Sequence, residues 1–339
     1  MTESGPRTGA GDLDAMVRRA ISLAGQGDLA AARDLLAAAA DAGSVDALFV
    51  RGVVEESAGR VKDGLEWYLR AAEAGHADAM FNLAMSAAEA GQDEIADAWL
   101  GRAAQAGSAN AAHNLGVRAQ DEGDAAQAQR WFEQAAQAGL VDAMRALATL
   151  LARSGEYEQS ARWYARAFAQ GLADPEAEYF YGKVLERLDR GPEARNHYLR
   201  AARGKHAAAA TALGDQARAA KQQDEAEYWY GVAGEAGDAS GLFGLGLTLA
   251  DRGDFAGAEQ ATRQAAERGE VRAMDTLGGL EESRGNRAEA LAWYGKAADA
   301  GLSRAAAARD RLAGDAGGSA AEDRNGTGGG TGNGAGSAS

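Results

Sequence analysis

The sequence contains no cysteine. A disulfide framework and a Cys-ligated zinc site are thereby excluded. Proline is almost as scarce, with only Pro6, Pro175 and Pro192 in 339 residues. Valine, isoleucine and threonine are sparse, which leaves little material for strands. Histidine is limited to His76, His113, His197 and His206, and no two of them have a metal-ligand spacing. No metal or cofactor is expected. No run approaches about 18 apolar residues, so no membrane span is expected. The opening residues, MTESGPRTGAGDLDAM, lack the apolar stretch of a signal peptide. A cytoplasmic location is the resulting expectation.

Positive charge is in short supply. Lys and Arg number 35 against 50 Asp and Glu, for a formal net charge of -15. A nucleic-acid-binding chain should carry a basic face, and this balance argues against one. An acidic surface suits a soluble protein or one with a basic partner. Nucleotide and hydrolase signatures are missing too: there is no Walker loop, no G-x-S-x-G and no dinucleotide fingerprint after a strand. The GLFGLG of residues 241–246 belongs to a repeat and reads as glycine at packing positions, not as a phosphate cradle. Without a nucleophile, base and metal set, the chain is expected not to be an enzyme.

What the chain has is alanine, glycine and a period. A helix-closing position falls at Gly11, Gly43, Gly75, Gly107, Gly139, Gly171, Lys205, Gly237, Gly269 and Gly301. The step is 32 residues, except for 34 between Gly171 and Lys205, where the glycine reads as moved back to Gly204. Glycine adopts the left-handed conformation after a helix end without a Cβ clash. Four residues before each closing position stands an alanine, from Ala39 to Ala297, and eleven before it another small residue, from Ala32 to Ala290. Seven and eight before it lie large pairs such as Trp67-Tyr68, Trp131-Phe132 and Trp293-Tyr294. All six tryptophans occupy one column. These positions share a stripe of one helix, B, wide enough to face a core. The tryptophans are accordingly expected in that core. Helix A carries a small residue (Ala47, Ala79, Ala111 and onward) and then a pair such as Leu115-Gly116 or Leu213-Gly214. Ala and Gly at these places let another helix press in.

Leu115-Gly116 followed by Ala128, Phe132 and Ala135 resembles the spacing of the tetratricopeptide (TPR) repeat. The Trp-Phe/Tyr pair, Ala-Ala and closing Gly resemble its Sel1-like cousin more closely. Here the turn between helices A and B is cut to a single glycine, as at Gly27, Gly59, Gly91, Gly123, Gly155, Gly253 and Gly285, which accounts for the short period. The resemblance covers nine repeats, about residues 12–301. It implies an all-α fold: a right-handed α-solenoid, or superhelix, of helix-turn-helix repeats over residues 12–312. Residues 302–312 read as a capping helix, because solenoids need a polar outer end. Residues 1–11 and the Gly-rich tail 313–339 are expected to be disordered. The Asn325-Gly326-Thr327 sequon is read as chance.

Repeat six departs from the pattern. Two residues are added before Pro175, His197 replaces Trp, and Gly191-Pro192 alters the inner turn, so a change of pitch or a hinge is one reading. His76 and His206 share a column just past a helix end, where a cation or polar cap is favoured. By the geometry of the resembled family, helix A lines a concave groove. There Phe49, Phe81, His113, Arg145 and Tyr179 would face a ligand, with Asn82 and Asn114 one residue on and Arg153 nearby. The resemblance implies that such asparagines bond the backbone of an extended peptide. The predicted function is a non-catalytic scaffold or adaptor that binds a protein or peptide in this groove. The alternative is a regulatory sensor that changes shape on binding a peptide or small molecule. The sequence names neither the partner nor the oligomeric state.

Overall fold

The computed structural model describes the backbone of residues 10–325 and the side chains of residues 11–314. Every element among the described residues is an α-helix. The chain divides into two compact units between Ala173 and Asp174. The first holds α1 (Ala10–Gly25), α2 (Leu29–Asp41), α3 (Val45–Ser57), α4 (Val61–Glu73), α5 (Ala77–Glu89), α6 (Asp93–Gln105), α7 (Ala109–Asp121), α8 (Ala125–Gln137), α9 (Val141–Arg153) and α10 (Tyr157–Ala169). The second holds α11 (Pro175–Arg187), α12 (Gly191–Arg203), α13 (Ala207–Ala219), α14 (Gln223–Glu235), α15 (Ala239–Asp251), α16 (Phe255–Glu267), α17 (Val271–Ser283), α18 (Arg287–Asp299) and α19 (Ser303–Asn325). Odd-numbered helices up to α17 are the A helices, and even-numbered ones the B helices. Within each unit each A helix packs on its own B helix, and successive pairs stack.

The period has a backbone cause. In repeat four, α7 and α8 are each 13 residues long. The left-handed Gly123 (φ 82°) ends α7, with its N–H on the Gln120 carbonyl and the Asp124 N–H on the Ala119 carbonyl. That is the six-to-one closure of a Schellman motif. Asp124 is at once the N-cap of α8, its carboxylate accepting the Gln127 N–H at 2.9 Å. One residue thus ends a helix and starts the next, so each connection needs only three residues. Two such helices and two such connections make the 32-residue repeat.

Residues 170–174 form a longer connection before α11, which begins at Pro175 with Asp174 as its cap. This is the two-residue insertion, and the boundary between the units lies within it. The closing residue of repeat six is Lys205 itself, at φ 64°. Gly204 has a φ of -78° and does not replace it. Gly204 is required for a different reason: a Cβ there would meet the Pro175 ring. At the C-terminus α19 runs on to Asn325 instead of ending at Leu312, because alanine recurs and no proline stops it. Residues 313–325 are therefore helical where a disordered tail was expected. Helix α1 likewise begins at Ala10, and the rest of the expected tails, residues 1–9 and 326–339, lies outside the described residues.

The core follows the small-residue columns. Ala39, Ala71, Ala103, Ala135 and Ala167 in the first unit are fully buried, as are Ala201, Ala233, Ala265 and Ala297 in the second. Between the helices lies the residue after each tryptophan, or after His197 in repeat six. Tyr68, Phe132, Tyr164, Tyr198 and Tyr230 are among the largest fully buried side chains. The tryptophans themselves are only half-buried. Trp67, Trp99, Trp163 and Trp293 lie under the cations of Arg70, Arg102, Arg166 and Lys296, 4.2, 4.1, 5.2 and 4.1 Å from the ring centroids. The expected tryptophan core is thus a tyrosine/phenylalanine core. The tryptophans flank it, and these four each turn one face to a cation.

Candidate functional site

The residues expected to line a groove sit on successive A helices. Phe49, Phe81, His113 and Arg145 occupy one column of α3, α5, α7 and α9, and all four are half-buried. Their column faces the start of the next A helix. Phe49 stacks on His76, the N-cap of α5, with ring centroids 4.3 Å apart and planes 18° apart. In the second unit Tyr179 stacks in the same way on His206, the N-cap of α13, at 4.6 Å and 24°. Two further members of the column keep the register with other chemistry. The Thr211 hydroxyl donates to the Asp238 carboxylate, the N-cap of α15, and Arg272 lies over the Phe243 ring at 5.1 Å. At these four positions the column couples a repeat to its successor.

His76 and His206 act at helix N-termini, not as cations at C-termini. Each Nδ1 accepts a backbone N–H, from Ala79 and Ala209 respectively, at 3.2 Å. An accepting ring nitrogen must be unprotonated. His197 is held by carboxylate chemistry, with Nδ1 2.5 Å from Glu178 and the ring 4.3 Å from that of Tyr181.

Asn82 and Asn114 stand one residue after the Phe81 and His113 positions and are half-exposed. The Asn114 Nδ2 meets the Met85 sulfur at 3.8 Å, a weak acceptor that leaves the amide with bonding capacity. In the neighbouring repeat the Tyr68 hydroxyl donates to Glu56 at 2.7 Å. Its acidity is pushed far down by burial first and by Glu56 second, with the Asn82 amide acting in the opposite sense. His113 is held below the ordinary histidine range, chiefly by burial. Asp142 raises it and Arg145 lowers it. Its Nδ1 is buried without a hydrogen-bond partner. Arg145 is half-buried, whereas Arg153 is exposed in the last turn of the same helix. Two cations eight residues apart on one helix stand ~12 Å apart along its axis. They do not form one pocket. Tyr179 lies in the second unit and is described only with its own neighbours.

Sequence reasoning missed a second row on the same face. Four residues past Phe49, Phe81 and His113 come Val53, Met85 and Val117, and the two valines are 37% and 40% exposed. The i, i+4 spacing within each A helix was the available signal. It missed an acidic row as well: Asp46, Asp78 and Asp142, in the first turns of α3, α5 and α9. Asp46 lies 3.6 Å from His76 Nε2, and Asp78 accepts the Ser108 hydroxyl at 3.0 Å. Among the described residues no group of three His, Cys, Asp or Glu could hold a metal ion. None of the helices there is long and apolar enough to cross a membrane.

No protein-family model and no curated protein matches the chain. Solved structures do. One is c5321, a protective antigen present in uropathogenic Escherichia coli strains displaying an SLR fold. It matches with a TM-score of 0.69 at 22% identity, over 89% of this chain and 72% of that one. This chain has the Sel1-like repeat fold. A Sel1 repeat protein from Oxalobacter formigenes matches with a TM-score of 0.53 at 22% identity, over 92% of this chain and 95% of that one. In the Sel1-like repeats of this chain, the resemblance read from the Trp-Phe/Tyr, Ala-Ala and Gly columns is the fold itself.

Proposed function

We propose that this Sel1-like repeat chain is a non-catalytic scaffold that binds an extended segment of a protein partner along the A-helix face of its first unit. The observation that carries the reading is the pair Asn82 and Asn114. They recur one period apart, half-exposed, and at least Asn114 holds an amide bonded only to a sulfur at 3.8 Å. An extended backbone offers donors and acceptors at regular intervals, which a ladder of amides can meet. Phe81 beside Asn82, and the exposed Val53 and Val117, supply apolar contacts between the amides. His113, Arg145 and Phe49 border the ladder, and Arg153 gives an exposed cation at one end. The acidic first-turn row, Asp46, Asp78 and Asp142, favours a segment with basic side chains along the other edge. Tyr179 belongs to the same column in the second unit.

The test is affinity capture of partners by the full chain and by the double variant Phe81→Ala/Asn114→Ala, with partners identified by mass spectrometry. Helical circular dichroism should be retained and partner recovery lost. Recovery unchanged from wild type would overturn the assignment of this face.

A further inference from the structure

In two repeats a long side chain bridges neighbouring B helices. Gln134 Nε2 on α8 donates to the Ala104 carbonyl of α6 at 2.7 Å. Arg268 Nη1, just past α16, donates to the Gly234 carbonyl of α14 at 2.9 Å. The acceptors are equivalent, because Ala104, Ala202 and Gly234 stand in one column of the repeat. In repeat seven, however, both bridging positions are short and apolar: Val232 replaces the glutamine and Ala236 the arginine. The result is a cleft of 240 Å³ in the second unit, lined by Ala202, Ala207, Val232 and Ala236 and by the polar Lys205, His206 and Glu235.

We infer that this cleft takes an arginine side chain from a protein partner. Arg268 fixes the chemistry, since it fills the equivalent cleft of the next repeat from within the chain. A partner's arginine lays its methylenes on Val232, Ala207 and Ala236 and donates to the Ala202 carbonyl, as Arg268 donates to Gly234. The second edge of the guanidinium fork faces the exposed Glu235 carboxylate. A planar fork can serve both acceptors at once, which a lysine ammonium does less well. The net charge of -15 favours a cationic partner. Lys205 opposes it but is exposed and can swing outward. His206 does not compete, because its Nδ1 is committed to the Ala209 N–H.

The surface beyond the cleft is altered in the same repeat. Past Val232 and Glu235 the depression continues to Gly231 and Tyr228. Tyr228 is 61% exposed and stands in a column that holds no other aromatic. Position 232 is also the column of Arg70, Arg102, Arg166 and Lys296, the cations that cover their tryptophans, and valine cannot do so. The residue next to the arginine then packs on Tyr228.

The experiment titrates the ¹⁵N-labelled full chain with the peptide acetyl-Ala-Ala-Arg-Ala-Ala-amide and with the same peptide carrying norleucine or lysine. Amide shifts centred on Ala202, Ala207, Gly231 and Val232 are expected, with the norleucine peptide at least about tenfold weaker. Ala236→Arg plugs the cleft with the chain's own side chain and should abolish these shifts. Glu235→Gln, exposed and safe for folding, should weaken binding about threefold or more, whereas Lys205→Glu should strengthen it. Equal affinity for the arginine and norleucine peptides would overturn the proposal. So would no shift up to millimolar peptide, shifts centred elsewhere, or affinity unchanged in Glu235→Gln. The result is independent of the A-helix face, because Phe81→Ala/Asn114→Ala should bind this peptide like wild type.

Discussion

The Phe132 ring occupies the space that a side chain on Gly116 would need. A Cβ at Gly116 would stand 2.6 Å from both Cδ1 and Cε1 of the ring. The same pairing of an A-helix glycine with a B-helix ring recurs at Gly182 and Tyr198, Gly214 and Tyr230, and Gly278 and Tyr294. The ring is wedged onto bare backbone, and this contact closes each of these helix pairs.

Gly116→Ala should therefore destabilise by about 1–3 kcal/mol, although alanine is the better helix former, because the ring has nowhere to go. Phe132→Ala should cost about 3–5 kcal/mol as a large-to-small core change. Trp131→Ala, although it removes a larger side chain, should cost less than Phe132→Ala, because Trp131 is only half-buried. Urea denaturation followed by one probe for all three variants gives the ranking. A Trp131→Ala loss equal to that of Phe132→Ala would contradict it.

Three turns carry a side chain where the other turns carry glycine: Asp189 at φ 56°, Lys205 at 64° and Lys221 at 59°. A left-handed conformation costs a non-glycine residue about 1–2 kcal/mol. Lys205→Gly and Lys221→Gly should each raise stability by up to about 1 kcal/mol after the entropy of the freer unfolded glycine is taken off. Asp189→Gly should gain less, since Asp tolerates this conformation better. The reciprocal change Gly139→Lys, at the same place in repeat four, should destabilise. Thermal melts of the four variants read the signs directly.

The fold was legible because its strictest demands fall on the backbone. A left-handed turn every half repeat favours glycine, and close helix approach favours a small residue such as Ala39, Ala103 or Ala135. Those constraints write columns into the sequence. Side-chain roles were less legible. The tryptophan column is expected in the core, yet a cation three residues later, as in Trp67/Arg70 and Trp99/Arg102, marks a ring with one face toward solvent. The sequence assigns Phe49 and Tyr179 to a ligand-facing column. They also meet a cap 27 residues on, at His76 and His206, a contact that no within-repeat pattern reveals. The cleft at Ala202 was invisible because its signal is the loss of two bridging side chains whose reach only the structure gives.

Glu281 in α17 is buried and meets Arg263 and Arg284, and both arginines also meet Glu259. Glu259 is held at about 2, first by its hydrogen bond from Arg284 and then by that from Arg263, with partial burial acting against them. A carboxyl group depressed by folding adds stability above its ordinary value of 4.5 and loses it as pH falls toward 2. The urea midpoints of wild type and Arg284→Gln should differ clearly at pH 6 and converge as the pH falls to 2. A gap that stays constant over this window would contradict the assignment.

His113 loses stability in the same direction, over a window nearer neutral pH. Burial favours its neutral form in the fold, whereas the unfolded chain protonates near 6.5. The unfolded state then binds more protons as the pH drops below 6.5, so stability falls with acid. His113→Phe, the residue found at Phe49 and Phe81 in the same column, should flatten the loss of stability between pH 7 and pH 5. The pH dependence of the denaturation midpoint in the two proteins measures it.

The most direct test of the binding face is site-specific photo-crosslinking from within one repeat. A photoreactive amino acid is placed at Val117, exposed on α7, or at Arg130, exposed on α8, and each full-length variant is irradiated with the captured partner. An adduct from position 117 and none from position 130 is the predicted result. An adduct from position 130 alone would place the partner on the B helices of this unit and contradict the account.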